Sequence, residues 1–191
     1  MRLPTYHHSV LRLLAERHPE PARRIVGAEI GVWRGNLSRT LLARLPNLLL
    51  YLVDAWATYE PTHPYARSGD SCARYSAQQQ QDNYLTTLET VAQYGPQCRV
   101  IREESIMAVN RFSDGELDFA FIDADHTLEA VRADIAAWAP KVRSGGILCG
   151  HDHGSPRDLR GVWGVSRAVG DYAAQTGRRV RVHPGHVWVV E

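Results

Sequence analysis

Two short runs in the second half of the chain hold most of the side chains that could do chemistry: Asp123-Ala124-Asp125-His126 and His151-Asp152-His153. The first follows an apolar stretch with no polar residue after Asp118, and the second follows Gly146-Ile147-Leu148-Cys149-Gly150. Polar groups collected at the end of an apolar strand must be solvated or used. If the two strands are neighbours, the runs face each other. Carboxylate oxygens and imidazole nitrogens then make a workable set for one divalent ion. Simpler readings stand beside this one: Asp125 can cap a helix that begins near Thr127, and His151 and His153 can be hydrogen-bonded loop histidines.

A third constellation lies earlier. In Ala28-Glu29-Ile30-Gly31-Val32-Trp33-Arg34-Gly35-Asn36-Leu37-Ser38, two glycines separate an apolar run from a helical pattern. A turn without side chains lets the backbone approach a ligand. Asp54 ends the next apolar run, 23 residues after Gly31, a distance at which an acidic side chain can reach both hydroxyls of a ribose. The spacing is not the Gly-x-Gly-x-x-Gly of dinucleotide enzymes. A catalytic Tyr-x-x-x-Lys pair is also missing, since Lys141 is the only lysine. Both facts weigh against a nicotinamide- or nucleotide-sugar-dependent oxidoreductase.

Positioning these groups requires strands that end together. Apolar runs at residues 25–31, 48–53, 99–101, 117–122 and 146–150 read as strands, the second buried on both faces. Helical spacing is found at residues 5–18 (stopping before Pro19), 37–45, 81–94, 128–138 and 162–174. Within the third of these, Tyr84, Leu85, Leu88 and Val91 are expected to face inward. Residues 179–183 and 186–190 form a closing strand pair turned at Pro184-Gly185. Alternation of this kind predicts one α/β domain over residues 1–191. Its architecture is Rossmann-like and doubly wound, a mainly parallel seven-stranded sheet with helices on both faces and an antiparallel C-terminal hairpin. Such sheets bind ligands beyond the carboxyl ends of their strands. Residues 55–80, rich in Tyr, Pro, Ser, Gly and Gln, interrupt the alternation and read either as a lid or substrate-binding insertion or as a partly disordered surface loop.

Composition narrows the class. A chain of 191 residues with 44% hydrophobic and 23% charged residues is an ordinary globular domain. Three cysteines at no metal-like spacing suggest a reducing, cytoplasmic setting. A net charge of +1 with dispersed basic residues argues against nucleic acid, and no apolar run suits a membrane.

Together, Glu29-x-Gly31-x-x-x-Gly35, Val53-Asp54, Phe121-Ile122-Asp123-Ala124-Asp125-His126, Pro140 to Leu148 and His151-Asp152 resemble class I S-adenosylmethionine-dependent methyltransferases. Within that class they resemble small bacterial metal-dependent O-methyltransferases of the Methyltransf_24 type, and the likeness runs from about residue 25 to the end. The resemblance implies that Glu29 and Gly31 lie by the methionine part of S-adenosylmethionine, Ser38 near its carboxylate and Asp54 on the ribose. Glu104 and Ser105 would flank the adenine, although Ser and Glu are also ordinary first-turn residues. Gly35, Trp56 and Asp123 complete the expected cofactor contacts, with Trp56 and Tyr59 walling the adenine or acceptor, or else lying in the core. Asp123, His151 and Asp152 would hold a divalent metal, magnesium or manganese. His151 departs from the family's usual Asp and admits a softer ion. His126 would be the general base, and Trp163 would reach the acceptor pocket. The expected acceptor is a small-molecule hydroxyl on a sugar, phenol or natural product, and a homodimer is the family's habit. Metal-free methylation of a nitrogen or a peptide, or a non-catalytic nucleotide- or metal-binding module, are the competing readings.

Overall fold

The apolar runs become seven strands: β1 (Ile25–Ile30), β2 (Leu48–Asp54), β3 (Cys98–Arg102), β4 (Leu117–Ile122), β5 (Val142–Gly150), β6 (Val180–His183) and β7 (Val187–Val190). Eight helices accompany them: α1 (Thr5–Arg17), α2 (Asn36–Arg44), α3 (Pro64–Arg67), α4 (Ala77–Val91), α5 (Ser105–Ala108), α6 (Leu128–Trp138), α7 (Pro156–Leu159) and α8 (Val165–Thr176). They come from a computed structural model that describes residues 3–18, 20 and 23–191. Pro19, the expected stop of the first helix, lies outside the described residues, as do Met1 and Arg2.

The strands form one sheet in the order β3-β2-β1-β4-β5-β7-β6. Pairing is parallel from β3 through β5, and antiparallel where β7 joins β5 and β6. The order reverses between β1 and β4, the switch point at which such sheets leave a crevice. One core lies between the sheet and α1, α2 and α4, with Val10, Leu14, Leu41, Leu50, Phe119 and Val91 in it. A second lies under α6 and α8, with Val131, Ile135, Trp138, Val165 and Val169. Fully burying a Leu or Val side chain is worth about 1.5–3 kcal/mol, so β2, with Leu48, Leu50, Leu52 and Val53 all buried, is among the firmest anchors of the sheet. Among the described residues no helix is long and apolar enough to cross a membrane.

The starts of three elements differ clearly from the sequence expectation, each for a local reason. α4 starts at Ala77 because Ser76 and Gln79 form a reciprocal capping box, which draws the glutamine run into its first turn. Leu85 on that helix is 46% exposed, so it points outward rather than into the core. β5 begins at Val142, since Leu117 pairs with it ahead of an irregularity in the register. α8 begins at Val165 because Gly164 serves as its N-cap, and a Cβ at Gly164 would come within 2.5 Å of Leu128. Residues 55–76 are built rather than loose. They contain α3, whose Pro64 sits in the first turn behind a capping His63, and a short 3-10 turn at Cys72–Arg74.

Candidate active site

Strand register sets the site. Ile30 is level with Val53 and Ile122, and Ile122 with Gly150. The residues that follow, Gly31, Asp54, Asp123 and His151, therefore stand in one row along the carboxyl edge. Backbone hydrogen bonds extend the ladder into that row: Gly31 N donates to Val53 O, Asp123 N to Ile30 O and His151 N to Ile122 O, at 2.9, 2.7 and 3.1 Å. Gly31 has φ +88°, and a Cβ there would overlap the Asp123 carbonyl, so the turn closes only with glycine.

A cavity of about 430 Å³ opens above this row, within the range of small-molecule sites. Glu29, Asp54, Glu104, Asp123, Asp125 and Asp134 line it, and no Lys or Arg does among the described residues. A wall this acidic suits a cationic ligand and opposes a pyrophosphate. The N-terminus of α2 has no side-chain cap, and its first residues, Asn36 and Leu37, border the cavity. Its unpaired N–H groups offer a place for a carboxylate.

Asp54 organises one end of the cavity. Its Oδ2 accepts from the backbone N–H of Val32 and of Trp33, both at 2.9 Å, and its Oδ1 accepts from Trp56 N at 2.8 Å. A carboxylate has about four acceptor positions, so roughly one remains for a ligand hydroxyl. Glu29 is buried, receives Ser38 Oγ at 2.5 Å, and has its pKa pushed up to about 8 by burial despite that bond.

At the other end two carboxylates and two imidazoles converge. His126 Nε2 lies 3.3 Å from Asp123 Oδ1 and 3.2 Å from Asp152 Oδ2. His151 Nδ1 lies 3.5 and 3.1 Å from the same two oxygens. Burial disfavours charge on both rings, but the carboxylates outweigh it. They hold His126 well above the ordinary histidine range and raise His151 to about 10. Asp152 itself, at φ 64°, sits in the left-handed region and is held far below the usual carboxylate range: burial opposes this, and the two imidazoles overcome it. Ligand atoms of Asp123, His126 and Asp152 all lie within 4.8 Å of one another. Hard oxygens with one imidazole fit a divalent cation of the magnesium, manganese or zinc kind.

A family model described as a methyltransferase domain, Methyltransf_24, matches residues 28–153. That span takes in the glycine turn, Asp54, Asp123 and the His151-Asp152 run. The chain belongs to this methyltransferase family. It is an enzyme of the class I S-adenosylmethionine-dependent type, and solved structures share its fold. The calicheamicin methyltransferase CalS11 is 14% identical with a TM-score of 0.67, over 98% of this chain and 78% of that one. The O-methyltransferase NovP is 15% identical with a TM-score of 0.63, over 96% and 78%. An O-methyltransferase from Bacillus cereus, solved with SAH, is 16% identical with a TM-score of 0.63, over 100% and 82%. No curated protein matches by sequence.

Within this methyltransferase the expected site residues fall into two groups. Glu29, Gly31, Asp54, Glu104, Ser105, Asp123 and His126 line the cavity, as do Tyr59 and Trp163. Gly35, Ser38, Trp56, His151 and Asp152 lie outside its lining. Gly35 supplies a left-handed turn (φ 70°) against α4, Ser38 touches Glu29, and Trp56 is buried in the core with its Nε1 donating to Trp33 O. Ser105 Oγ is committed on both sides, donating to Asp134 at 2.5 Å and accepting from Trp138 Nε1 at 2.8 Å. His153 is absent from the cavity lining, and its backbone N–H donates to His186 O. Asp125 does not cap α6, whose N-cap is Thr127; it accepts from Thr127 N at 2.7 Å in the turn that leads into the helix. Asp123, His126 and Asp152 form a compact group that could hold a metal ion, and His151, the imidazole expected there, approaches the same two oxygens at 3.5 and 3.1 Å.

Three cavity residues escaped the sequence reading. Tyr6 of α1 lies over His151 with ring centroids 4.5 Å apart. Asp134 lies in the second turn of α6, and burial raises its carboxyl to about 7. Asp70 lies in the 55–76 segment. Tyr6 and Asp134 sit in patterns that read as plain amphipathic helices, and no local spacing ties Asp70 to His126, 56 residues away.

Proposed function

We propose that this methyltransferase transfers the methyl group of S-adenosylmethionine to a hydroxyl of a small molecule, with a divalent metal at Asp123, His126 and Asp152. The convergence of those three ligand atoms within 4.8 Å carries the reading. When bound, a divalent cation lowers the pKa of a chelated hydroxyl toward neutrality, which is the activation an O-methyl acceptor needs.

The chain's own residues would supply the rest. Glu29 offers a carboxyl oxygen, and the α2 N-terminus N–H donors, for the amino and carboxylate groups of the methionine part. Asp54 offers its remaining acceptor position to the ribose. The acidic wall favours the sulfonium charge of the donor over that of a dinucleotide. His126 Nε2 faces the two carboxylates, and its Nδ1 faces Asp70. Both nitrogens are thus committed, so we assign it to holding the cation rather than to removing the acceptor's proton, the role the family resemblance implied. Tyr6, Trp163 and Tyr65, which line the same cavity, would give the acceptor an aromatic enclosure.

Calorimetry with S-adenosylmethionine and S-adenosylhomocysteine, each with Mn²⁺, Mg²⁺ or EDTA, tests this reading. Binding of both adenosyl compounds, with turnover of a catechol or sugar acceptor abolished by EDTA and restored by Mn²⁺, is expected. Full turnover in EDTA-stripped protein would refute the metal, and methylation confined to amine acceptors would refute the hydroxyl.

A further inference from the structure

We propose that Asp70 is a positioning residue for the reacting centre: brought in by the 55–76 segment, its carboxylate holds His126 through Nδ1–H and so turns Nε2 onto Asp123 and Asp152. This inference rests on the metal site proposed above and adds the group that orients it.

The contact is short and dry. Asp70 Oδ2 lies 2.8 Å from His126 Nδ1, and the two residues are 4% and 9% exposed. A carboxylate can only accept, so the hydrogen between them belongs to the imidazole. Asp70 is itself fixed. Its Oδ1 accepts from Cys72 N at 2.8 Å, and its own N–H donates to Ser68 Oγ at 3.2 Å. Gln80 ties the segment at its neck, with Nε2 donating to Ala57 O at 2.9 Å and to Cys72 O at 3.4 Å.

The other faces of His126 are occupied as well. Trp163 stacks on the ring with centroids 4.1 Å apart and planes 16° off parallel. The backbone carbonyl of His126 accepts from Gly164 N at 2.9 Å. The ring therefore has one low-energy orientation, and Asp70 decides which nitrogen looks toward the strand ends. Were the ring turned over, Cδ2 and Cε1 would take the places of Nδ1 and Nε2, and Asp70 and the carboxylate pair would each face a C–H instead of a nitrogen. A carboxylate behind a ligating imidazole fixes its orientation and raises its basicity, and removing such a partner typically weakens metal binding about 10–100-fold. Because Asp70 arrives on an insertion rather than on the sheet, the reacting centre is complete only when that segment is seated.

The test uses the full chain with Asp70→Asn and Asp70→Ala. Asparagine keeps the shape and an acceptor oxygen for Cys72 N, so it remains informative if the alanine variant does not fold. Two readouts are taken without substrate: the ring Hδ1 resonance of His126 by NMR of ¹⁵N-histidine-labelled protein, and Mn²⁺ affinity by electron paramagnetic resonance. Wild type should show a slowly exchanging, downfield Hδ1. Asp70→Asn should shift it upfield or lose it, and should bind Mn²⁺ about 10–100-fold more weakly with an unchanged near-ultraviolet dichroism. A folded Asp70→Asn protein with the wild-type Hδ1 resonance overturns the proposal, as does one whose Mn²⁺ affinity stays within twofold of wild type. If the wild-type protein binds no Mn²⁺, the metal reading fails by itself, and the Hδ1 resonance alone decides for or against Asp70.

Discussion

Trp56 Nε1 donates to the backbone carbonyl of Trp33 at 2.8 Å, and the backbone N–H groups of both residues end on the Asp54 carboxylate. Trp33 and Trp56 are also bulky residues at positive φ, 56° and 43°, a conformation that costs about 1–3 kcal/mol each. The side chain expected to read the ribose is therefore also the brace that holds two strained turns together.

Asp54→Ala should consequently lower stability as well as affinity. Losing an acceptor shared by three N–H groups is expected to cost about 2–5 kcal/mol, seen as an earlier urea midpoint, with S-adenosylhomocysteine binding at least tenfold weaker. An Asp54→Ala protein that unfolds at the wild-type urea concentration would remove the bracing role.

Glu29 predicts a pH dependence. Its pKa rises from 4.5 to about 8 on folding, so between those values the native state binds more protons than the unfolded chain. Its contribution is complete below pH 4.5 and is lost as pH rises through about 8. Free of ligand, the protein should lose stability across that window. Glu29→Gln should flatten the slope, and thermal melts from pH 5 to 8.5 would measure it. Equal slopes in the two proteins would contradict a buried, neutral Glu29.

Two glycine substitutions separate crowding from backbone conformation. Gly31 (φ +88°) has the Asp123 carbonyl where a Cβ would go, whereas Gly145 (φ +76°) has nothing within 4 Å. Gly145→Ala should cost about 1–2 kcal/mol, the left-handed penalty alone. Gly31→Ala should cost more than about 3 kcal/mol or prevent folding. Denaturant melts showing similar losses for both would mean that the two strand ends do not close as described.

The two histidines can be told apart at the metal. His126→Gln should weaken Mn²⁺ binding more than His151→Gln, because Asp70 holds the far nitrogen of His126 and so fixes the ring that stands with Asp123 and Asp152. Binding measured by electron paramagnetic resonance in protein without substrate would decide. The reverse order would return His151 to the ligand set.

Much of this site was legible in the sequence because strand ends are legible. Apolar runs finishing at Ile30, Val53, Ile122 and Gly150 predict that the next polar residues share one edge, and the register puts Gly31, Asp54, Asp123 and His151 there. Other features depend on tertiary packing that no local pattern encodes. Ser38, expected against the ligand, turns inward because buried Glu29 needs a partner. Trp56 goes to the core because its indole N–H finds Trp33 O. Tyr6 reaches the site only because α1 packs beside the C-terminal hairpin, where Ser9 Oγ donates to Pro184 O at 2.6 Å and Gly185 leaves room for the Tyr6 backbone. Exposed Leu85 is a reminder that helical spacing marks a face without saying how wide it is.

The stacking of Trp163 on His126 gives the protein an optical reporter at its own reacting centre. An indole in face contact with a protonated imidazole is quenched, and it brightens when that ring loses its charge. Of the other four tryptophans, Trp138 and Trp188 are fully buried and Trp56 nearly so, whereas Trp33 is exposed and lines the same cavity, so with Trp33 replaced by Phe the change in emission should follow Trp163 and the state of His126. Occupation of the carboxylate pair by a cation would then be readable as light, in unlabelled protein and in real time.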